Sequence, residues 1–235
     1  GPVSNRQDGS YAHDVVVSPD GAYVFVCDLG ADVIRVIRPA SSACKDAAHV
    51  ADIPLRAGSG PRHLKFFVDA AKGKTFAYLS SEFANTITSF LYAPTASSDE
   101  VLQQIGEPSF SSPPALPLGG NKADGPKRTL AEVQVAPNGR FVFASNRGDS
   151  QEDSISVLTR GDNGRASWTY WYRSGGLNPR HFDVSPDGQY LSVANQDSGN
   201  VVVLRVSDKD GSLDKVATLG GLPKVAFAGF APADK

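Results

Sequence analysis

The feature that most constrains the fold is a recurring hairpin turn built on Pro-Asp-Gly or Pro-Asn-Gly. The stretch 18–26 returns as 136–144 and again as 185–193, and a degraded copy occupies 71–78. In each copy glycine tolerates a positive φ, and the preceding Asp or Asn can bond to its own backbone, which favours a tight turn between two strands. Repetition at this scale indicates one supersecondary unit stacked several times.

Each copy of the turn stands in the same order of strands. A β-rich run enters the turn, a second run rich in Val, Phe and Tyr leaves it, and a third alternating run follows a polar corner. The third runs are 33–37, 87–90, 155–158 and 201–204. With an outer strand added, each unit has four short strands, which is typical of a β-propeller blade. No segment shows the periodicity of an α-helix. The sequence therefore predicts an all-β propeller of about four blades.

The interval between the second and third copies is rich in Pro, Gly and Ser. Over 94–128 we expect an extended loop inside one propeller domain that covers 1–235. The tail 222–227 echoes the strand entrances at 60–63 and 178–181. The tail therefore predicts a closing strand after the fourth blade.

Composition and charge exclude several classes of function. The formal net charge is -2, so no broad basic surface favours nucleic acid or an anionic membrane. No apolar run is long enough to span a membrane, and the first residues lack the pattern of a signal peptide. Two cysteines are too few for a disulfide framework: Cys27 lies in an apolar strand pattern typical of a buried thiol, and Cys44 lies outside it. We expect a cytoplasmic protein.

One repeat-equivalent position carries an unusual number of cations. The start of the first strand of each unit is held by His13, Arg62, Ala131 and Arg180, and the tail adds Lys224 at the equivalent place. The first strand of a propeller blade lines the central channel. We therefore expect the four basic side chains of this set to converge on one mouth of that channel.

A second polar set lies where the second strands end, and its members are Asp28, Glu82, Arg147 and Gln196. Because both strand ends lie on the same face of a blade, the two sets predict an inner and an outer polar ring around one funnel. Cations beside one or two carboxylates in a concave site favour a ligand that bears a carboxylate or a phosphate. The alternative is that these side chains only form salt bridges between neighbouring blades.

Other chemistries have little support in the sequence. His63 and His181 follow the inner set by one residue, so strand alternation predicts that they face the other way, as packing or hydrogen-bonding residues. No Cys/His spacing suggests zinc, and no P-loop or dinucleotide motif is present. Asp28 and Glu82 are the only acids well placed for a metal ion, and the cationic inner ring argues against one. We expect no metal and no organic cofactor.

Seven short motifs, in order along the chain, carry a resemblance to a known family. They are Ala12-His13-Asp14-Val15, Gly60-Pro61-Arg62-His63, Ser81-Glu82-Phe83, Ala131-Glu132, Ser145-Asn146-Arg147-Gly148, Asn178-Pro179-Arg180 and Val193-Ala194-Asn195-Gln196. Together they resemble the seven-bladed lactonase family, which includes propeller-type 6-phosphogluconolactonases and the fungal 3-carboxy-cis,cis-muconate lactonizing enzyme. The resemblance covers nearly the whole chain.

The resemblance implies a catalytic cluster and an incomplete ring. The cluster corresponds to His13, Arg62, Glu82 and Arg147. The remaining members of the two polar rings are then expected to bind substrate, and these are Asp28, Arg180, Gln196 and Lys224. Many relatives have a second His two residues before His13, where this chain has Tyr11. Family members carry about three more N-terminal blades, so an N-terminal fragment or a second copy is expected to complete the ring.

Two main hypotheses follow for the function. In the first, the protein forms or opens a lactone of a small anionic substrate. Arg62 and Arg147 hold its carboxylate or phosphate, and Glu82 or His13 acts as general acid or base. In the second, the propeller is a non-catalytic binding or scaffold module, because a fold alone does not give a function. A lectin-like sugar binder is a third reading, and it needs exposed aromatic residues near the funnel.

Overall fold

The computed structural model describes residues 1–3, 5–39, 47–111, 128–149 and 151–231. Within these residues all regular secondary structure is β-strand, arranged in four antiparallel sheets. The strands are β1 (Ala12–Val17), β2 (Val24–Asp28), β3 (Val33–Arg38), β4 (Ala48–Pro54), β5 (Pro61–Asp69), β6 (Lys74–Ser81), β7 (Thr86–Tyr92), β8 (Leu102–Gln104), β9 (Ser109–Phe110), β10 (Thr129–Val135), β11 (Phe141–Arg147), β12 (Ser154–Arg160), β13 (Ala166–Arg173), β14 (Pro179–Val184), β15 (Tyr190–Asn195), β16 (Asn200–Val206) and β17 (Leu213–Leu219).

Each sheet is one propeller blade whose strands pair in chain order. The first blade is β1–β4, the second β5–β8 with β9 also paired to β7, the third β10–β13 and the fourth β14–β17. The repeated turn joins the first two strands of each blade. At this turn Gly139 has φ of 67°, and a Cβ there would come within 2.1 Å of the Phe67 ring in the preceding blade. The four-stranded repeat predicted from the sequence is confirmed.

The hydrophobic cores lie between neighbouring blades. Three clusters join the first blade to the second, the second to the third and the third to the fourth. Representative pairs are Phe25 with Leu79, Phe76 with Val142, and Phe143 with Val193. Burying one such side chain contributes about 1.5–3 kcal/mol. The stability of each blade therefore depends on the blade beside it.

The outer face of the first blade lacks such a neighbour among the described residues. Val15 in β1 is 63% exposed, whereas the residues at the equivalent position of the other three blades are 0% exposed. Those residues are Leu64, Val133 and Phe182. Val15 thus has the strand position of three buried residues, but no blade among the described residues packs against it.

The structure differs locally from two expectations about irregular segments. The predicted loop over 94–128 contains β8 and β9, which pair with β7, because the outer edge of β7 needs partners for its backbone groups. Residues 112–127 of this segment lie outside the described residues. The tail 222–227 forms no strand. Its backbone bonds instead to a turn, with the Leu222 N–H donating to Gly199 and the Val225 N–H donating to Leu222.

Side chains with a predicted environment lie mostly where expected. Cys27 is fully buried and free, and burial raises the pKa of its thiol well above the ordinary value. Cys44 lies outside the described residues. Trp168 and Trp171 belong to β13, the outer strand of the third blade, so they supply no aromatic surface at the inner strand ends.

Candidate active site

Every first strand has a bulge at its entrance. The pairing register shifts between Ala12 and Asp14 in β1, between Pro61 and His63 in β5, and between Pro179 and His181 in β14, and a similar shift interrupts β10. A bulge adds one residue to a strand and re-aims the side chains around it. Two consecutive residues of each entrance can therefore reach the same hollow.

The centre of the candidate site is the carboxylate of Glu82, which follows β6. Its Oε2 lies 2.9 Å from Nε of Arg62 on β5, and its Oε1 lies 3.2 Å from Nη2 of Arg147 at the end of β11. A third guanidinium, that of Arg6, lies 2.9 Å from the same Oε1. Glu82, Arg62 and Arg147 thus meet as the sequence predicts, and they join the second blade to the third.

The electrostatics of this cluster keep Glu82 ionised. Burial would raise the pKa of Glu82, but the charges of Arg147, Arg62 and Arg6 outweigh burial and lower it. Burial, followed by repulsion from Arg147, lowers the pKa of Arg62 to about 10. Arg62 still carries its proton at neutral pH. The cluster therefore presents three guanidiniums around one carboxylate, with an excess of positive charge.

A cavity of about 420 Å³ opens beside this cluster and is lined by Asn5, Arg6, Tyr11, Ala12, His13, Leu29 and Arg180. The sequence predicts His13 and Arg180 at such a site, and the structure brings both to its wall. Arg6 lies outside the repeats, so no periodic signal could identify it. In the sequence, Tyr11 stands out only as a departure from the family pattern.

His13 is neutral at physiological pH. Desolvation among its neighbours, followed by the positive charge of Arg62, lowers the pKa of this imidazole to about 4. Arg180 acts in the same direction and Glu82 opposes it. His13 can therefore offer a ring nitrogen as a hydrogen-bond acceptor or donor without adding charge to the cavity.

Arg180 at the entrance of β14 is exposed. It forms no ion pair or hydrogen bond with any residue in the described ranges. By contrast, Arg147 is tied both to Glu82 and to the Leu130 carbonyl, to which its Nη2 donates at 3.1 Å. Arg180 is thus a cation of the cavity wall with its donors available to a ligand.

Asp28 was expected to bind substrate, and the structure places it elsewhere. The residue is 0% exposed, and its Oδ2 lies 2.7 Å from Nη2 of Arg35. The same carboxylate accepts hydrogen bonds from the Ser10 hydroxyl and from the backbone N–H groups of Tyr11 and Ala31. All of its acceptor capacity is used within the first blade, so its role is to fix the chain that leads into His13.

Gln196 and Lys224 also lie away from the cavity wall. The Gln196 side-chain oxygen accepts a hydrogen bond from Asn178 at 3.3 Å. Lys224 is 76% exposed at its side chain, and its ammonium lies 2.8 Å from Asp197. The expected position of Lys224 depended on a closing strand, and the tail forms a turn instead. Neither residue is among those that line the cavity, and a role of either in binding substrate stays a prediction.

His63 and His181 lie among other polar side chains. The ring of His63 meets the ring of His13 at 4.9 Å, edge to face, so residues at the bulges of β1 and β5 are in contact. His181 approaches Glu132, whose Oε2 lies 3.8 Å from its Nε2. Both imidazoles thus lie against carboxylates, as expected of hydrogen-bonding residues, and neither is among the residues that line the cavity.

No group of three or more His, Cys, Asp or Glu residues in the described part of the chain is arranged to hold a metal ion. The positive excess around Glu82 suits an anion better than a cation, because guanidinium groups bind carboxylate and phosphate oxygens by paired, charge-assisted hydrogen bonds. The chemistry open to this site is therefore the binding of an anionic ligand beside the imidazole of His13.

The model of the family described as Lactonase, 7-bladed beta-propeller matches residues 1–226. The chain belongs to the seven-bladed lactonase family. The chain is 30% identical over 218 residues to a 6-phosphogluconolactonase from Formosa agariphila. It is 25% identical over 219 residues to the 6-phosphogluconolactonase of Bacillus subtilis. The solved structure of the Pseudomonas aeruginosa periplasmic gluconolactonase superposes on it with a TM-score of 0.79 at 30% identity.

The chain spans little more than half the length of these relatives. The matches cover 92%, 93% and 95% of the chain but 56%, 56% and 58% of the respective relatives. No helix in the described ranges is long and apolar enough to cross a membrane. Because one of the similar structures is a periplasmic protein, the cytoplasmic location expected from the sequence stays a prediction.

Proposed function

We propose that this chain forms the substrate-binding part of a lactone hydrolase that opens an anionic sugar-acid lactone, with 6-phosphogluconolactone as the first substrate to test. The observation that carries the proposal is the unpaired, exposed Arg180 facing a cavity whose wall also holds Arg6 and His13. Hydrolysis is preferred over lactone formation because the named relatives are lactonases.

The charge balance supports a phosphate-bearing substrate. Arg6, Arg62 and Arg147 surround the carboxylate of Glu82. Arg180 lines the cavity beside them, and a second carboxylate, that of Glu132, also acts on Arg62. A dianionic phosphate at the cavity brings the charge of the group close to neutrality, and Arg180 can donate two parallel hydrogen bonds to it. A neutral sugar lactone gains none of this attraction.

Within this proposal Glu82 positions the arginines and does not transfer protons. Its carboxylate is 3% exposed and contacts three guanidiniums. A carboxylate whose pKa is lowered in this way is a weak base, and protonating it would leave Arg62 without its counter-charge. His13, which is neutral, contacts the ligand as a hydrogen-bonding group.

The non-catalytic alternative also has an observation in its favour. Glu82 and Arg147 join two blades, and Arg147 is tied to the Leu130 backbone, which is the arrangement of a scaffold. The two functions make different demands on Arg180. A residue that stabilises a scaffold requires a partner within the protein, whereas a residue that binds a ligand keeps its donors free. Turnover in the complete protein decides between them.

We further propose that the ring is completed by additional blades on the face that carries Val15. The support is the 63% exposure of Val15 against 0% at its three equivalents, together with the share of the relatives that the chain covers. The mass of the protein purified from its source tests this proposal. A chain heavier than the 235-residue chain, or a second fragment that co-purifies with it, agrees with the proposal. Twice the mass of the 235-residue chain indicates a second copy.

The function is tested by the release of protons from 6-phosphogluconolactone and from gluconolactone by the complete protein. We expect the phosphorylated lactone to be preferred. Arg180→Gln should raise KM for that lactone by about 10–100-fold, the equivalent of losing one or two charge-assisted hydrogen bonds. Arg205→Gln, which removes an exposed arginine paired with Asp214 on the fourth blade, is the control. Absence of turnover, or equal preference for both lactones, contradicts the proposal.

A further inference from the structure

The residues that line the cavity include two chemically different sets. Arg6 and Arg180 are cations suited to the phosphate of the proposed substrate. The first blade supplies a less polar set, which consists of Tyr11, Ala12 and Leu29. A phosphate alone requires only the cations, because apolar and aromatic surface offers a dianion no charge-assisted hydrogen bond. A cavity with both sets fits a ligand that has a charged end and a less polar body.

Tyr11 carries the aromatic ring among the described residues that line this cavity. The residue is 46% exposed, although its backbone is held in both directions. Its N–H donates to Oδ1 of Asp28 at 2.9 Å, and its carbonyl accepts from the Leu29 N–H at 2.9 Å. The exposed surface therefore belongs mainly to the side chain. A large ring exposed at a cavity wall is surface that a ligand can cover.

The ring of Tyr11 is held in one position. Its hydroxyl donates to Oδ1 of Asp8 at 2.6 Å. The ring also lies directly against the backbone of Gly30, where a Cβ would fall 2.6 Å from Cδ2 of the ring. Because the hydroxyl proton is already bound to Asp8, the ring carbons are the part of Tyr11 that is available to a ligand. A ring fixed in this way loses little conformational entropy when a ligand packs on it.

Tyr11 lies on the face of the first blade that is turned toward the second blade. It shares a backbone hydrogen bond with Leu29, and residues that stand opposite each other in an antiparallel pair have their side chains on one face. Leu29 follows Cys27 by two residues and therefore shares its face, which belongs to the core between the first two blades. Val15, which pairs with Val26, lies on the opposite face. The additional blades proposed on the Val15 face therefore leave Tyr11 open to the cavity.

We propose that Tyr11 is a specificity-determining residue whose ring packs against the sugar ring of the lactone. This inference rests on the proposed function. A sugar lactone carries C–H groups between its hydroxyls, and these groups form the less polar surface that an aromatic ring can cover. The contact does not involve the phosphate. Arg180 therefore recognises the charge of the substrate and Tyr11 recognises its ring, so the two residues contribute separately to binding.

The experiment measures kcat and KM of Tyr11→Ala in the complete protein, with 6-phosphogluconolactone and with gluconolactone. Because the residue is 46% exposed, covering the rest of its ring should be worth about 5–10-fold in KM for both lactones. We expect kcat to stay nearly unchanged, since the contact is the same before and during the reaction. The preference for the phosphorylated lactone, taken as the ratio of the two kcat/KM values, should also stay unchanged. Arg180→Gln should reduce that preference instead.

Two further variants separate the ring from its hydroxyl and from tyrosines in general. Tyr11→Phe keeps the ring and should change either KM by less than about 3-fold, because an exposed hydrogen bond contributes little. Tyr170→Ala removes a tyrosine that is 51% exposed on β13, and both KM values should stay unchanged. Inorganic phosphate should inhibit the unmodified protein and Tyr11→Ala equally, since its binding requires only the cations.

Three results overturn the inference while the proposed function stands. They are an unchanged KM for both lactones in Tyr11→Ala, a rise confined to the phosphorylated lactone or accompanied by weaker inhibition by phosphate, and a rise in Tyr11→Phe as large as that in Tyr11→Ala. An unmodified protein that opens no lactone removes the proposed function and this inference together. If Tyr11→Ala does not fold, Tyr11→Gln takes its place, and the same results decide.

Discussion

Oε2 of Glu82 lies 2.9 Å from Nε of Arg62, and both side chains are almost completely buried, at 3% and 2% exposed. The two residues belong to one blade, but the same carboxylate also reaches Arg147 in the next blade and Arg6 in the N-terminal segment. One carboxylate thus holds three cations in place around the cavity. The pair fixes the position of a charge cluster and, through it, the contact between two blades.

The first prediction concerns Glu82→Gln. The substitution keeps the shape of the side chain but leaves Arg62 and Arg147 buried without their counter-charge. Removing one partner of a buried ion pair costs about 3–5 kcal/mol, so the free energy of unfolding, measured in urea, should fall by this amount. Asp52→Asn, at a half-exposed carboxylate that pairs with Arg35 at 3.4 Å, is the control and should cost less than about 1 kcal/mol. Similar small losses in both variants would contradict the structural role given to Glu82.

The second prediction concerns pH and Asp28. Burial would raise the pKa of Asp28, but its hydrogen bonds with Ser10, Arg35 and the Tyr11 backbone lower it. A carboxyl with a lowered folded-state pKa stabilises the protein above its unfolded pKa, about 3.9, and this stabilisation is lost as the pH falls through the folded value. Asp28→Asn should therefore cost about 1–3 kcal/mol at pH 7, and the difference should narrow below about pH 4. A difference that stays constant down to acid unfolding would show that the carboxylate charge is unimportant.

The third prediction concerns the imidazole of His13, whose pKa is about 4. Arg180 is among the charges that lower this pKa. Removing its positive charge in Arg180→Gln stabilises the imidazolium, so the pKa of His13 should rise toward its ordinary value of about 6.5. A titration followed by nuclear magnetic resonance of the His13 ring measures the change. An unchanged midpoint, with Arg205→Gln as the control, would place Arg180 too far from His13 to share a site with it.

The fourth prediction concerns the open face at Val15. In the 235-residue chain alone, Val15→Thr should change the free energy of unfolding by no more than about 0.5 kcal/mol, because Val15 is largely exposed. In the complete protein the same change buries a hydroxyl and should cost about 1–3 kcal/mol. Leu64→Ala, at the buried equivalent, should cost about 2–5 kcal/mol in both forms. Equal small costs for Val15→Thr in both forms would show that no blade covers this face.

The fold could be predicted because its signals are local and repeated. The turn residues at Gly21, Gly139 and Gly188 and the alternating third runs require only backbone conformation and strand periodicity, and all of them hold in the structure. The strand predicted in the tail 222–227 is absent from the structure for a different reason. Its residues resemble a strand entrance, but a strand also requires a free edge to pair with, and sequence similarity says nothing about that edge.

The site could be predicted in part. Repeat alignment finds the residues that share a position, which is why Glu82, Arg62 and Arg147 come together as expected. It does not give side-chain direction, so Asp28, which has the same strand-end position as Glu82, pairs with Arg35 inside its own blade. Arg6 lies outside every repeat, and only the three-dimensional contact with Glu82 reveals it.

The most direct measurement is a crystal structure of the complete protein with 6-phosphogluconate, the product of the proposed reaction. We predict the phosphate within hydrogen-bond distance of Arg180 and Arg6, and the carboxylate end near His13. A product bound elsewhere on the propeller, or no binding at concentrations far above those of turnover, would contradict the claim that the four blades build one anion-binding hollow.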